Sequence, residues 1–125
     1  MSANELHLEM SRTEGCTVVA LSGSLVTVEQ ADTVAGALAA LPVDDHVVVD
    51  ITALTRFGLR CAHDLSDRLE ERTRCSEAVV VSDRPEVTLQ LVLSDVDRVT
   101  PIVPSIADAM QVLRDRSGFV AADVA

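Results

Sequence analysis

Two short stretches, Val47-Val48-Val49 and Ala78–Val81, are apolar at every position and flanked by polar residues. Alternation marks a strand with one wet face. An unbroken run this short marks a strand covered on both faces, as in a parallel sheet packed with helices. Helical periods lie in the intervening sequence. Val28, Ala31, Val34, Ala35, Leu38 and Leu41 recur at helical spacing, Thr27 with Gln30 matches a capping box, and Pro42 stops the helix. Cys61, Ala62, Leu65 and Leu69 form a second stripe, opposite Asp64, Asp67, Arg68, Glu70 and Glu71. Asp83-Arg84-Pro85 opens a third helix with Pro85 in its first turn, and Val87, Leu91, Val92 and Leu93 are expected to face inward. Ser105 caps a fourth, whose stripe is Ile106, Ala109, Met110 and Leu113 and whose stop signal is Gly118.

The remaining segments complete the sheet. Leu6, Leu8 and Met10 alternate with His7 and Glu9, a half-buried strand that Thr13-Glu14-Gly15 turns into a second strand over residues 16–21. Residues 99–103 read as a last short strand, interrupted by Pro101 and therefore at an edge. The expected order is β-β-α-β-α-β-α-β-α. The fold class is α/β: a single-layer mixed, mainly parallel β-sheet with about four helices. A chain of 125 residues supports one domain, placed here at residues 5–115, with 1–4 and 116–125 as flexible termini. Phe57 and Phe119 are the sole aromatics, so the core is built from Val, Leu, Ile and Ala.

The formal charge of −10 argues against nucleic acid and anionic membrane as partners, because both repel such a surface. All ten basic residues are arginine. Residues 1–10 lack the basic and apolar regions of a signal peptide, and no apolar run approaches a membrane span. Three cysteines, Cys16, Cys61 and Cys75, without paired spacing point to reduced thiols, and so to a cytoplasmic protein.

Chemistry is sparse. The glycines fit neither common nucleotide-binding fingerprint, and Cys61 and His63 lie two apart, which on a helix points them in different directions. Asp44-Asp45 and Glu70-Glu71 read as solvated surface. No cofactor, metal site or catalytic residue is expected.

Three stretches nevertheless resemble a known domain. They are Val18-Val19-Ala20-Leu21-Ser22-Gly23-Ser24-Leu25 before a helix, residues 46–55 leading into the next helix, and residues 99–109, where a short strand reaches a helix through Ser105 and Asp108-Ala109. Their order and spacing resemble the STAS domain, found in anti-sigma factor antagonists and in the cytoplasmic tails of sulphate transporters. The resemblance implies a non-catalytic protein-binding regulator whose partner is an anti-sigma factor or another kinase-fold protein. In that family a kinase phosphorylates a Ser or Thr at the start of the second main helix, and the added charge weakens binding.

Here the chain departs from the pattern. Where the family continues into Asp-Ser-Ser-Gly-Leu, an ungapped count gives Gly58-Leu59-Arg60-Cys61-Ala62. Leu59 then stands at the phosphoacceptor position without a hydroxyl, and the acid before it is Gly58. We take this register because it places Phe57 inward and starts the helical stripe at Cys61-Ala62. A three-residue deletion would instead align Gly58-Leu59 with the family's Gly-Leu and bring Thr55 to the acceptor position. In either register the loop gains Arg56 and Arg60 around an apolar Leu59. The resemblance therefore places partner binding on Ser24, Thr55, Arg56, Gly58, Leu59 and Arg60, with Thr55, Ser66 and Ser24 as substitute acceptors. Three alternatives stay open: a subunit of a lipid-transport ATPase or stress-signalling scaffold, a small-ligand sensor, and a thiol enzyme using Cys75 or Cys61. A homodimer is compatible with each.

Overall fold

The computed structural model describes residues 5–13 and 15–117. Strands β1 (Leu6–Thr13) and β2 (Cys16–Leu25) form the expected hairpin. Then come α1 (Val28–Ala39), β3 (His46–Phe57), α2 (Leu59–Arg72), β4 (Ala78–Val81), α3 (Pro85–Leu93), α4 (Val96–Val99), β5 (Ile102–Val103) and α5 (Ile106–Ser117). The sheet order is β1-β2-β3-β4-β5; β1 is antiparallel to β2 and every other neighbouring pair is parallel.

The apolar runs sit where an all-apolar strand must. Val47, Val48 and Val49, and all of β4, are buried. Alternate residues feed two cores. Val47, Val49, Ala78 and Val80 pack with Val34, Leu38, Leu65, Leu69, Val87 and Leu91 from α1, α2 and α3. Val48, Val79 and Val81 pack with Cys16 and with Ala109 and Leu113 of α5. Each fully buried Leu or Val is worth about 1.5–3 kcal/mol over its exposed state, so these two faces are the main source of stability.

Local signals operate as read. Thr27 Oγ1 accepts from the Gln30 amide at 3.1 Å, and Gln30 Oε1 accepts from the Thr27 amide at 3.1 Å, a complete capping box. Pro85 occupies the first turn of α3, and Ser105 Oγ accepts from the Asp108 amide at 3.1 Å. At Gly23, with φ of 86°, an added Cβ would run into the Glu5 carbonyl oxygen, so glycine is required where β2 passes the segment leading into β1.

Five expectations need correction. A fifth helix, α4, occupies Val96–Val99, because Asp95 adopts φ of 62° and turns the chain so that Val96 enters the core; the last strand is thereby confined to Ile102–Val103. Val92 and Leu93 are exposed, since Val87 and Leu91 already fill the one buried stripe of α3. Val28 and Met10 are likewise exposed, lying at a helix start and on an edge strand. Asp45 is 5% exposed rather than solvated, held at 3.1 Å by Arg12. Helix α5 runs to Ser117, so residues 116 and 117 are helical; residues 1–4, Glu14 and 118–125, including the remaining expected tails and Gly118, lie outside the described residues.

Candidate partner-docking loop

The candidate loop is made by two parallel strand ends and a helix start. Ser24 pairs with Arg56 and Leu25 with Phe57 in the β2–β3 register. The Gly58 amide donates to the Leu25 carbonyl at 2.9 Å, which carries the strand contact one residue past β3. Phe57 is buried in the core shared with α1 and α2, so the chain must turn outward immediately after it.

Helix α2 starts at Leu59 with Gly58 as its N-cap. Gly58 offers no side-chain cap, and the first turn contains no acid. The first amides of a helix are unpaired donors with partial positive charge, which Asp, Ser or Glu normally satisfies. Here the sequence adds cations instead: Arg56 and Arg60 both stand at the surface. Leu59 is 47% exposed between them. An exposed apolar residue with exposed arginines close by in sequence on both sides thus marks a protein that is strongly acidic overall.

Beside the loop, a cleft of about 160 Å³ separates the starts of α1 and α2, lined among others by Val26, Val28, Ala31, Asp32, Arg60 and Asp64. Cys61 closes its floor. The Cys61 thiol donates to the Thr27 carbonyl at 3.6 Å. Burial, with Asp64 beside it, pushes that thiol's pKa up, against the pull of Arg60. A raised thiol pKa is the reverse of what a nucleophile requires. His63, two residues on, is exposed.

The expected site residues separate into two groups. Thr55, Arg56, Leu59 and Arg60 are exposed, and Gly58 is half-buried between them. Ser24 does not join them: its side chain has 0% exposure, because β2 is covered there, and no partner can touch it in this conformation. Ser66 is buried within α2. Thr55 lies on β3, and its Oγ1 donates to the Gly23 carbonyl at 2.8 Å, so its hydroxyl serves the strand pair.

Two features escaped the sequence. Arg72, at the last turn of α2, donates from Nη1 to the Leu38 carbonyl at 3.2 Å, and from Nη2 to those of Pro42 at 2.7 Å and Asp45 at 2.9 Å. It fastens the end of α1 and the loop into β3 to α2. Its neighbours Glu70 and Glu71 read as solvated surface, and nothing in the sequence singles out Arg72. The second is Arg84, expected merely as part of a helix start. It lines a groove beside α3.

No protein-family model matches this sequence, and no curated protein matches it. Solved structures do match. An anti-sigma factor antagonist from Mycobacterium paratuberculosis superposes with a TM-score of 0.78 at 23% identity, over 89% of this chain and 96% of that one. The fold is that of the STAS domain. An anti-sigma-factor antagonist (STAS) domain protein from Planctomyces limnophilus matches at a TM-score of 0.68 and 18% identity, over 85% and 97% of the two chains. The anti-sigma factor antagonist SpoIIAA, solved in its unphosphorylated form, matches at 0.66 and 16%, over 93% and 99%. The STAS fold thus extends over nearly all the described residues, as the resemblance of the three stretches implied. Among the described residues no helix is long and apolar enough to cross a membrane, and no three metal-ligating side chains gather.

Proposed function

We propose that this STAS-fold chain is a non-catalytic cytoplasmic regulator that binds an anti-sigma factor, or another protein of kinase fold, through its β3–α2 turn. Leu59 carries the reading. It is the first residue of α2, the place where the family bears its phosphoacceptor, and it is exposed and flanked by Arg56 and Arg60. That position supports the ungapped register over the one that calls on Thr55, whose hydroxyl is committed to Gly23. Without a hydroxyl at the start of α2, phosphorylation there cannot release the partner. Binding is constitutive or controlled elsewhere.

The physical basis is a small hot spot. An apolar side chain that is nearly half exposed can be buried by a partner, and arginines at its rim supply charge-assisted hydrogen bonds to acidic groups. The net charge of −10 disfavours an acidic partner over much of the surface, so where it docks depends on local arginines such as these.

The test is binding by wild type and by the double variant Leu59→Asp plus Arg60→Glu, both shown to fold by circular dichroism. Capture of a kinase-fold protein by wild type, weakened at least about a hundredfold in the variant, is the expected result. Equal capture by both moves the interface off this turn. A stoichiometric complex with an ATPase or scaffold subunit would favour the assembly-subunit reading instead.

A further inference from the structure

The two edges of the sheet are guarded unequally. β5 is two residues long and lies between Pro101 and Pro104, so it offers little for another strand to pair with. β1 runs for eight residues in unbroken register with β2 and contains neither a proline nor a bulge. Edge strands of that length normally carry a feature that repels a second strand. Arg12, the one cation of β1 besides any charge on His7, is turned away to Asp45 at 3.1 Å.

The pairing with β2 fixes what β1 presents. The Ser24 amide donates to the Glu5 carbonyl opposite it at 2.9 Å, so Glu5, His7, Glu9 and Ser11 turn their backbone groups to β2. Leu6, Leu8 and Met10 therefore point their amides and carbonyls outward along the free edge. Their side chains lie on the face of the larger core, where Leu6 and Leu8 are half-buried and Met10 is 51% exposed. His7 and Glu9 stand exposed on the other face. Within one copy, His7 Nε2 is 3.8 Å from Glu5 Oε2, a loose exposed pair that a nearer carboxylate can replace.

We propose that a second copy of this chain docks here, β1 antiparallel to β1, about a two-fold axis through Leu8. An axis normal to the sheet keeps like faces together, so a residue can only face one an even number of places away. With Leu8 on the axis, Leu6 faces Met10 of the second copy, and the outward groups of Leu6, Leu8 and Met10 complete hydrogen-bonded pairs. His7 then faces Glu9 of the second copy, twice, at the non-hydrogen-bonded positions where side chains come closest. Sliding the copies by two residues sets Glu9 against Glu9 in one direction and Glu5 against Glu9 in the other. Charge thus favours one register of the three, and the complement it requires is β1 itself. Two five-stranded sheets become one whose outer edges are both the two-residue β5, so association closes at two copies. The proposal does not depend on the partner-binding reading.

The test is sedimentation velocity of the whole protein from micromolar to millimolar concentration. Salt at about 0.15 M screens the repulsion between the copies' net negative charges beyond about 8 Å. Wild type should pass from monomer to dimer and no further. His7→Glu should weaken the dimer about fivefold or more, since each of the two symmetric pairs becomes Glu against Glu. Adding Glu9→His restores both pairs in reverse and should recover the wild-type affinity. Met10→Pro removes an outward amide from each copy and should abolish the dimer, with the fold retained by circular dichroism. His7 and Glu9 are exposed, so the charge reversal decides the matter even if the proline variant misfolds. A wild type monomeric throughout, an assembly larger than two, indifference to His7→Glu, or no recovery in the double variant would each overturn the proposal.

Discussion

The two ends of the sheet are finished differently. At the N-terminal ends of the parallel strands, polar groups are tied together. Asp45 accepts from Arg12 at 3.1 Å and from Thr17 Oγ1 at 3.4 Å, its carbonyl accepts from Arg72 at 2.9 Å, and His46 Nδ1 accepts from the Glu77 amide at 3.0 Å. Arg116 of α5 reaches Glu77 at 3.7 Å across the same end. At the C-terminal ends α1 and α5 are capped, but α2 begins without a cap or an acid, and Leu59, Leu89 and Val92 stand exposed. Ties across one end, and an uncapped helix start with exposed apolar side chains at the other, separate a base that holds the domain together from a rim available for recognition.

This contrast is open to attack by mutation. The largest effect is expected at Arg72. Arg72→Ala leaves the carbonyls of Leu38, Pro42 and Asp45 short of donors and should cost about 3 kcal/mol in urea unfolding. Arg72→Lys should recover little of it, because one ammonium cannot span carbonyls that two guanidinium nitrogens reach. Neither should alter partner affinity once folding is corrected for. A loss below about 0.5 kcal/mol would remove the base from its structural role.

A second effect belongs to the same end and is read by pH. Burial, and after it the negative charge of Asp45, pushes the Cys16 thiol from 9.0 up to about 11. The folded state therefore favours the neutral thiol. Its contribution is fully present below pH 9 and is lost as pH rises through about 11, by roughly 2–3 kcal/mol in all. Cys16→Ala should flatten that part of the stability–pH curve; an unchanged slope would show that Cys16 is not the titrating group.

The smallest effect is at the rim. An added Cβ at Gly58 meets Val26 Cα at 3.4 Å, an ordinary contact. Gly58→Ser should therefore supply the missing cap and stabilise the domain by a few tenths of a kcal/mol. Thermal melting checks it. A destabilisation would mean that the turn is already optimised for folding and is not left open for another purpose.

The architecture was legible because it rests on periodicity and punctuation. The unbroken runs around Val48 and Val79, the capping box at Thr27 and Pro85 are local signals with local causes. Position α4 was not legible, since four residues carry no period and the turn depends on a left-handed Asp95. The burial of Asp45 could not be read either, because its partner Arg12 lies 33 residues away on the edge strand. At the candidate loop, the sequence exposed the oddity of Leu59 between arginines, but the inaccessibility of Ser24 follows from packing across strands. Arg84 looked like helix punctuation; its place in the wall of a groove is a property of the fold alone.

Amide hydrogen exchange of the wild-type protein, alone and saturated with its captured partner, tests the division between rim and base most directly. Protection should rise at residues 56–62, while residues 15–17 and 72–77 should change little. Protection that appears at 15–17 and 72–77 and leaves 56–62 untouched would contradict it, and would place recognition on the end of the sheet assigned here to stability.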